Sequence, residues 1–104
     1  MKRLITASAL AVSALLTVGN ALAVDELHKK YGCTACHMDD KQLVGPAYNA
    51  VAAKYKTDKE AVKKLSEKVR KGGMGVWGPI PMPPNPTPTD AEVTAMVETV
   101  LKTK

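Results

Sequence analysis

The sequence predicts a small all-α domain. Several segments place apolar residues at helical spacing behind capping residues and end on glycine. No run alternates apolar and polar residues at strand period. The 104-residue chain also contains no Phe, one Trp and three Tyr. So little aromatic bulk leaves a core that is marginal on its own burial, and one domain is expected.

The first residues read as an export segment. Met1-Lys2-Arg3 is a positive start, residues 4–18 are apolar apart from Thr6, Ser8, Ser13 and Thr17, and Ala21-Leu22-Ala23 is a small-residue cleavage site. The stretch is short for a membrane span and no second one follows. The expected division is a cleaved signal peptide, 1–23, and a domain, 24–104; an uncleaved anchor is the alternative. Cleavage removes Lys2 and Arg3 from 15 basic residues and none of the 10 acidic ones, leaving a formal charge of +3. The lysines gather within 54–71 without the interleaved aromatics of a single-strand binder, so nucleic acid is not an expected partner.

The first helix is expected over 25–31. Asp25 and Glu26 suit its N-terminus, Leu27 and Tyr31 share a face, and Gly32 stops it. His28 reads as a surface residue. Next comes Cys33-Thr34-Ala35-Cys36-His37, the Cys-x-x-Cys-His pattern of covalent haem attachment. Two thiols at this spacing can add to the two vinyl groups of one haem, and the adjacent imidazole can ligate its iron. A zinc half-site would need four ligands, and the chain has two Cys and two His. A thioredoxin-like pair belongs beside a βαβ pattern. A disulfide would close a very small, strained loop. Haem is therefore the expected cofactor. Its volume would supply what the core lacks, and a poorly folded apoprotein follows.

Residues 38–44 read as a polar connection. Gly45-Pro46 opens a second helix, with Tyr48, Val51, Ala52 and Tyr55 on its apolar face. The Pro46 carbonyl is free to accept the second ring N–H of a metal-bound histidine. Thr57-Asp58-Lys59-Glu60 reads as a capping box for a third helix to about Lys71. Val62, Leu65 and Val69 form its buried side, Glu60/Lys64 and Glu67/Lys71 pair across its outer side, and Gly72-Gly73 ends it.

Residues 72–88 hold too many Gly and Pro for helix or central strand. Prolines can make such a loop rigid without hydrogen bonds. A rigid loop suits a weak iron–thioether bond. Thr89-Asp90-Ala91-Glu92 is a second capping box and begins a last helix with Val93, Met96, Val97, Val100 and Leu101 on one stripe. Of the methionines, Met1 leaves with the signal, Met38 follows His37 too closely and Met96 belongs to the core stripe. Met74 and Met82 remain as sixth ligands. Rigidity favours Met82, which stands between Pro81 and Pro83, over Met74 among glycines. An open sixth position is the other possibility.

Together these residues resemble the small bacterial class I cytochromes c of the c-551/c-552 (c8) type. The matching pieces are Gly32-Cys33-Thr34-Ala35-Cys36-His37, Val44-Gly45-Pro46-Ala47-Tyr48, Gly75-Val76-Trp77-Gly78-Pro79-Ile80-Pro81-Met82-Pro83-Pro84-Asn85 and Thr89-Asp90-Ala91-Glu92. The resemblance implies an all-α class I fold, about four helices around one haem c, with a Pro-rich loop carrying the methionine ligand. It implies thioether bonds at Cys33 and Cys36, axial ligation by His37 and Met82, orientation of His37 by Pro46, and an Asn85 side chain bonded near the Met82 sulfur. It also implies contacts from Trp77 and Lys68 to the haem propionates, with Lys68 where an arginine can occur and so without the bidentate fork. Thr99 stands where relatives often carry a tryptophan, and the loop after Asn85 is one residue longer, with Pro86 and Pro88.

The function so implied is a periplasmic, monomeric electron carrier, not an enzyme and not embedded in the membrane. A quinol–cytochrome c reductase would be its donor. A nitrite reductase, a terminal oxidase or a cytochrome c peroxidase would be its acceptor. The alternative is a haem sensor or peroxidase-like enzyme with a labile sixth ligand.

Overall fold

A computed structural model of the protein describes residues 16–104, with side chains from residue 23 onward. Residues 1–15 of the expected signal peptide lie outside the described residues. Four α-helices and one short 3-10 turn follow in order: α1 (Leu16–Lys30), the turn (Cys33–Ala35), α2 (Tyr48–Lys54), α3 (Ala61–Lys71) and α4 (Asp90–Leu101). Among the described residues there is no strand, only two isolated antiparallel bridges, His37 with Gln42 and Gly73 with Met82. No described helix is long and apolar enough to cross a membrane.

The expected stripe of α4 builds the core. Val93, Met96 and Val97 are buried, and Val24, Leu27, Tyr31, Val62, Leu65 and Val69 pack against them. Val93, Met96 and Val97 each contribute roughly 1.5–3 kcal/mol by leaving water. α4 thereby touches all three other helices. Its capping box forms as the sequence predicts: the Glu92 N–H donates to Thr89 Oγ1 at 3.2 Å, and the Thr89 N–H donates to Glu92 Oε1 at 3.0 Å. The same carboxylate accepts the Tyr31 hydroxyl at 3.0 Å, which ties the end of α1 to the start of α4.

Three helix starts differ from expectation, each for a local reason. α1 begins at Leu16 rather than near Asp25, and Ala21-Leu22-Ala23, strong helix formers, carry the helix ahead of Asp25. α2 begins at Tyr48 rather than at Pro46. Its first free N–H groups are met by the backbone, with Tyr48 and Asn49 donating to the Met38 and Asp39 carbonyls at 2.8 and 2.9 Å. α3 begins at Ala61, and the Thr57 capping box does not form. Asp58 replaces it: Oδ1 accepts the Glu60 N–H at 2.8 Å, while Oδ2 pairs with Lys64 at 2.7 Å. A charged oxygen one residue nearer outcompetes the Thr57 hydroxyl, and it takes Lys64 from the expected Glu60 pair.

Candidate functional site

The chain turns sharply after α1 because Gly32 adopts φ 76°, a region open to glycine. The 3-10 turn that follows holds Cys33, Cys36 and His37 together, with the His37 N–H donating to the Cys33 carbonyl at 2.9 Å. All three line one cavity of about 570 Å³, a size that suits an organic cofactor. Val51, Leu65, Val69, Met96, Val97 and Val100 supply its apolar walls.

The His37 ring is fixed on several sides. Nδ1 donates to the Pro46 carbonyl at 2.8 Å. That contact assigns the proton to Nδ1, since a carbonyl only accepts, and leaves Nε2 as the nitrogen with a free lone pair. Gly45 lies flat against the ring: a Cβ there would stand 2.5 Å from Cε1 and 2.9 Å from Nδ1. Tyr48 stacks on the ring as well, with centroids 5.2 Å apart and planes inclined by 21°. From sequence alone Gly45 is a helix opener and Tyr48 an apolar-face residue. The adjacency of Gly45 to Pro46 was the available signal for the first.

A second loop, 72–88, lines the same cavity, and it is hydrogen-bonded rather than held by proline alone. The Gly73 N–H donates to the Met82 carbonyl at 3.0 Å, and the Met82 N–H donates to the Gly73 carbonyl at 2.8 Å. Gly72 makes the approach possible, since a Cβ there would stand 2.3 Å from the Met82 carbonyl oxygen. Met82 is thus held by its backbone, whereas Met74 is 68% exposed. Beyond Met82, the Asn85 N–H donates to the Val69 carbonyl at 2.9 Å, and its side-chain amide donates to the Tyr31 carbonyl at 3.2 Å. Arg70 clamps the loop's far end. Its guanidinium donates to the Pro86 carbonyl at 3.0 Å, to the Pro88 carbonyl and to Asp90.

At the rim stand Trp77 and Lys68. The Trp77 indole is 43% exposed. Lys54 Nζ lies 5.6 Å from its ring centroid, a cation–π contact. Lys68 Nζ lies over Gly73, 2.7 Å from where a Cβ would stand.

One expectation is overturned outright. His28 is not a surface residue; it is 7% exposed, and its Nδ1 lies 3.2 Å from the Tyr48 hydroxyl. The period of α1 points it inward beside Leu27, against a partner twenty positions away that no local pattern reveals.

The competing chemistries fare poorly. Among the described residues no three His, Cys, Asp or Glu come together as a metal site. Burial pushes the Cys33 thiol above its ordinary value. A dithiol nucleophile needs the opposite shift. Two thiols, one imidazole with a free Nε2 and a methionine around an apolar cavity form a donor set that fits a covalently attached haem.

A model of the cytochrome c family matches residues 19–104. The chain belongs to the cytochrome c family. Cytochrome c-552 of Nitrosomonas europaea is 45% identical over 94 residues, which cover 90% of this cytochrome and 91% of that relative. Cytochrome c-551 of Pseudomonas aeruginosa is 44% identical over 106 residues, which cover 100% of both. The crystal structure of wild-type Nitrosomonas europaea cytochrome c552 superposes with a TM-score of 0.73 at 42% identity, over 77% of this chain and 99% of that one. The fold is the expected class I cytochrome c fold, and the cofactor of this cytochrome is one covalent haem c. Electron transport is the work of the family.

Proposed function

We propose that this cytochrome is a periplasmic one-electron carrier, exported by residues 1–23 and working as a monomer between respiratory redox proteins. Bound in the cavity, haem c supplies a one-electron ferric/ferrous couple. Cys33 and Cys36 would hold it through thioethers, and His37 Nε2 and the Met82 sulfur would ligate the iron. Pro46 fixes the imidazole and makes it more basic by accepting Nδ1–H. Asn85 anchors the Met82 loop, and Trp77 and Lys68 meet the propionates. With His37 and the Met82 loop both held by the fold, little would rearrange on electron transfer, and a histidine–methionine donor pair would favour the reduced form.

The observation that carries this reading is the immobilisation of both ligands before any cofactor is considered. His37 is held by Pro46 and packed by Gly45, and Met82 is bonded through both backbone groups to Gly73. A protein that binds gas or peroxide needs an open position instead. Val76, Trp77 and Ile80 are exposed, and Lys54 lies over the Trp77 ring. A small apolar patch beside a lysine suits brief encounters with acidic partners. A quinol–cytochrome c reductase as donor, and a nitrite reductase, terminal oxidase or cytochrome c peroxidase as acceptor, fit that chemistry. The test is the optical spectrum of the reduced protein with and without carbon monoxide at neutral pH. An unchanged spectrum is expected; rapid change would replace the carrier by a sensor or peroxidase-like enzyme with a labile sixth ligand.

A further inference from the structure

His28 is the only buried polar or charged side chain among the described residues. Burying an imidazole is unfavourable unless its nitrogens find partners, and an apolar ring of like size would fill the same space without that penalty. Its partner is Tyr48, whose hydroxyl lies 3.2 Å from His28 Nδ1. The two rings meet at 5.4 Å and 51°, while the same Tyr48 ring stacks on His37. His28, Tyr48 and His37 therefore form a continuous file of rings, with Gly45 against the last of them. Burial, above all, pushes the His28 pKa below its ordinary value, against the raising effect of Asp25, Asp39 and the Met96 backbone. The ring is then neutral at neutral pH, and Nδ1 can accept the phenolic proton.

We propose that His28 is a positioning residue for the electron-transfer centre: it accepts the Tyr48 hydroxyl, fixes the plane of the ring stacked on His37, and so sets the orientation of that imidazole. The inference rests on the axial role proposed for His37. Without the His28 anchor, Tyr48 can slide along the imidazole face, and the Nδ1–Pro46 bond that tunes His37 loses its alignment. A group acting on a metal ligand from outside changes the metal's properties as well as the fold's stability.

The experiment compares holoproteins carrying His28→Phe, His28→Gln, Tyr48→Phe and the double change His28→Phe with Tyr48→Phe. The readouts are reduction potential and the paramagnetic NMR shifts of the haem methyl groups, which report the plane of the axial imidazole. His28→Phe and Tyr48→Phe should each move the ferrous-to-ferric ratio at a fixed electrode potential by about threefold, or about 28 mV at 59 mV per tenfold. They should redistribute the methyl shifts in the same sense, and the double variant should do no more than either single one, because both remove one bond. His28→Gln keeps an acceptor and should restore most of the unaltered behaviour. A His28→Phe protein with unchanged potential and shifts would reduce His28 to packing and overturn the inference. Should that variant fail to take up haem, Tyr48→Phe, which deletes one oxygen, carries the same two outcomes. The unaltered protein separates this failure from that of the ligation: a high-spin ferrous spectrum overturns His37 and Met82 as the ligand pair, and this inference with them.

Discussion

Replacing Gly45 by alanine tests how tightly the fold grips His37. The added Cβ would stand 2.5 Å from His37 Cε1, 2.9 Å from Nδ1 and 3.1 Å from Nε2. Ordinary contact begins near 3.4 Å, so the ring or the backbone must retreat by about 0.9 Å. The ring cannot turn away freely. Nδ1 is bonded to the Pro46 carbonyl at 2.8 Å, Tyr48 covers a face, and His37 is bound to the Cys33 turn through its backbone. Gly45 has no left-handed φ, so the effect is steric and not a backbone preference. Overpacking of this kind destabilises by about 1–3 kcal/mol, and a strained Pro46 bond adds about 1 kcal/mol. Denaturant unfolding of the haem-loaded protein should show a loss of about 2–4 kcal/mol, together with a changed reduction potential. Gly32→Ala is the matched control. Nothing lies within 4 Å of its Cβ, but its φ is +76°, so it should lower stability by about 1–2 kcal/mol through strain alone and leave the potential near its original value. If Gly45→Ala proves as stable as the unaltered protein with the same potential, the imidazole is not held as described.

Other changes address the second loop and the pH response. Met82→Ala should open the reduced protein to carbon monoxide and lower its potential, whereas Met74→Ala, at an exposed position, should do neither; the reverse pattern would exchange their roles. Arg70→Ala removes the donors to Pro86 and Pro88 and the pair with Asp90. It should speed hydrogen exchange at the Met82 N–H and lower stability by about 1–2 kcal/mol, and unchanged exchange would show that the loop is held without Arg70. The Glu92 carboxylate lies below its ordinary value because it accepts the Thr89 N–H and then the Tyr31 hydroxyl. A depressed folded value means that the unfolded chain binds the proton more readily. The stabilisation is thus complete above the ordinary carboxylate pKa and is lost as pH falls through the lowered one. Glu92→Gln should flatten the acid limb of a stability–pH curve, and an unaltered limb would remove the capping box from that response.

What could be read directly from the residues is what depends on near neighbours. The Cys33, Cys36 and His37 spacing is set by one turn of chain, and a cofactor that bonds to both thiols needs no more than that. The Thr89–Glu92 box closes within four residues, and the α4 stripe is a matter of helical period. The same local logic misjudged Thr57, because Asp58 lies one residue nearer to Glu60 and Lys64 rewards it.

Only the tertiary structure decided the contacts that span the chain. It turned His28 inward onto Tyr48, laid Gly45 on the His37 ring, carried Asn85 to the Tyr31 carbonyl and set Arg70 over the proline carbonyls. Each partner pair comes together through the packing of different segments, and its geometry is fixed by where α1, α3 and α4 bury their apolar sides. A sequence states which groups can bond; which of them meet is a property of the packed core.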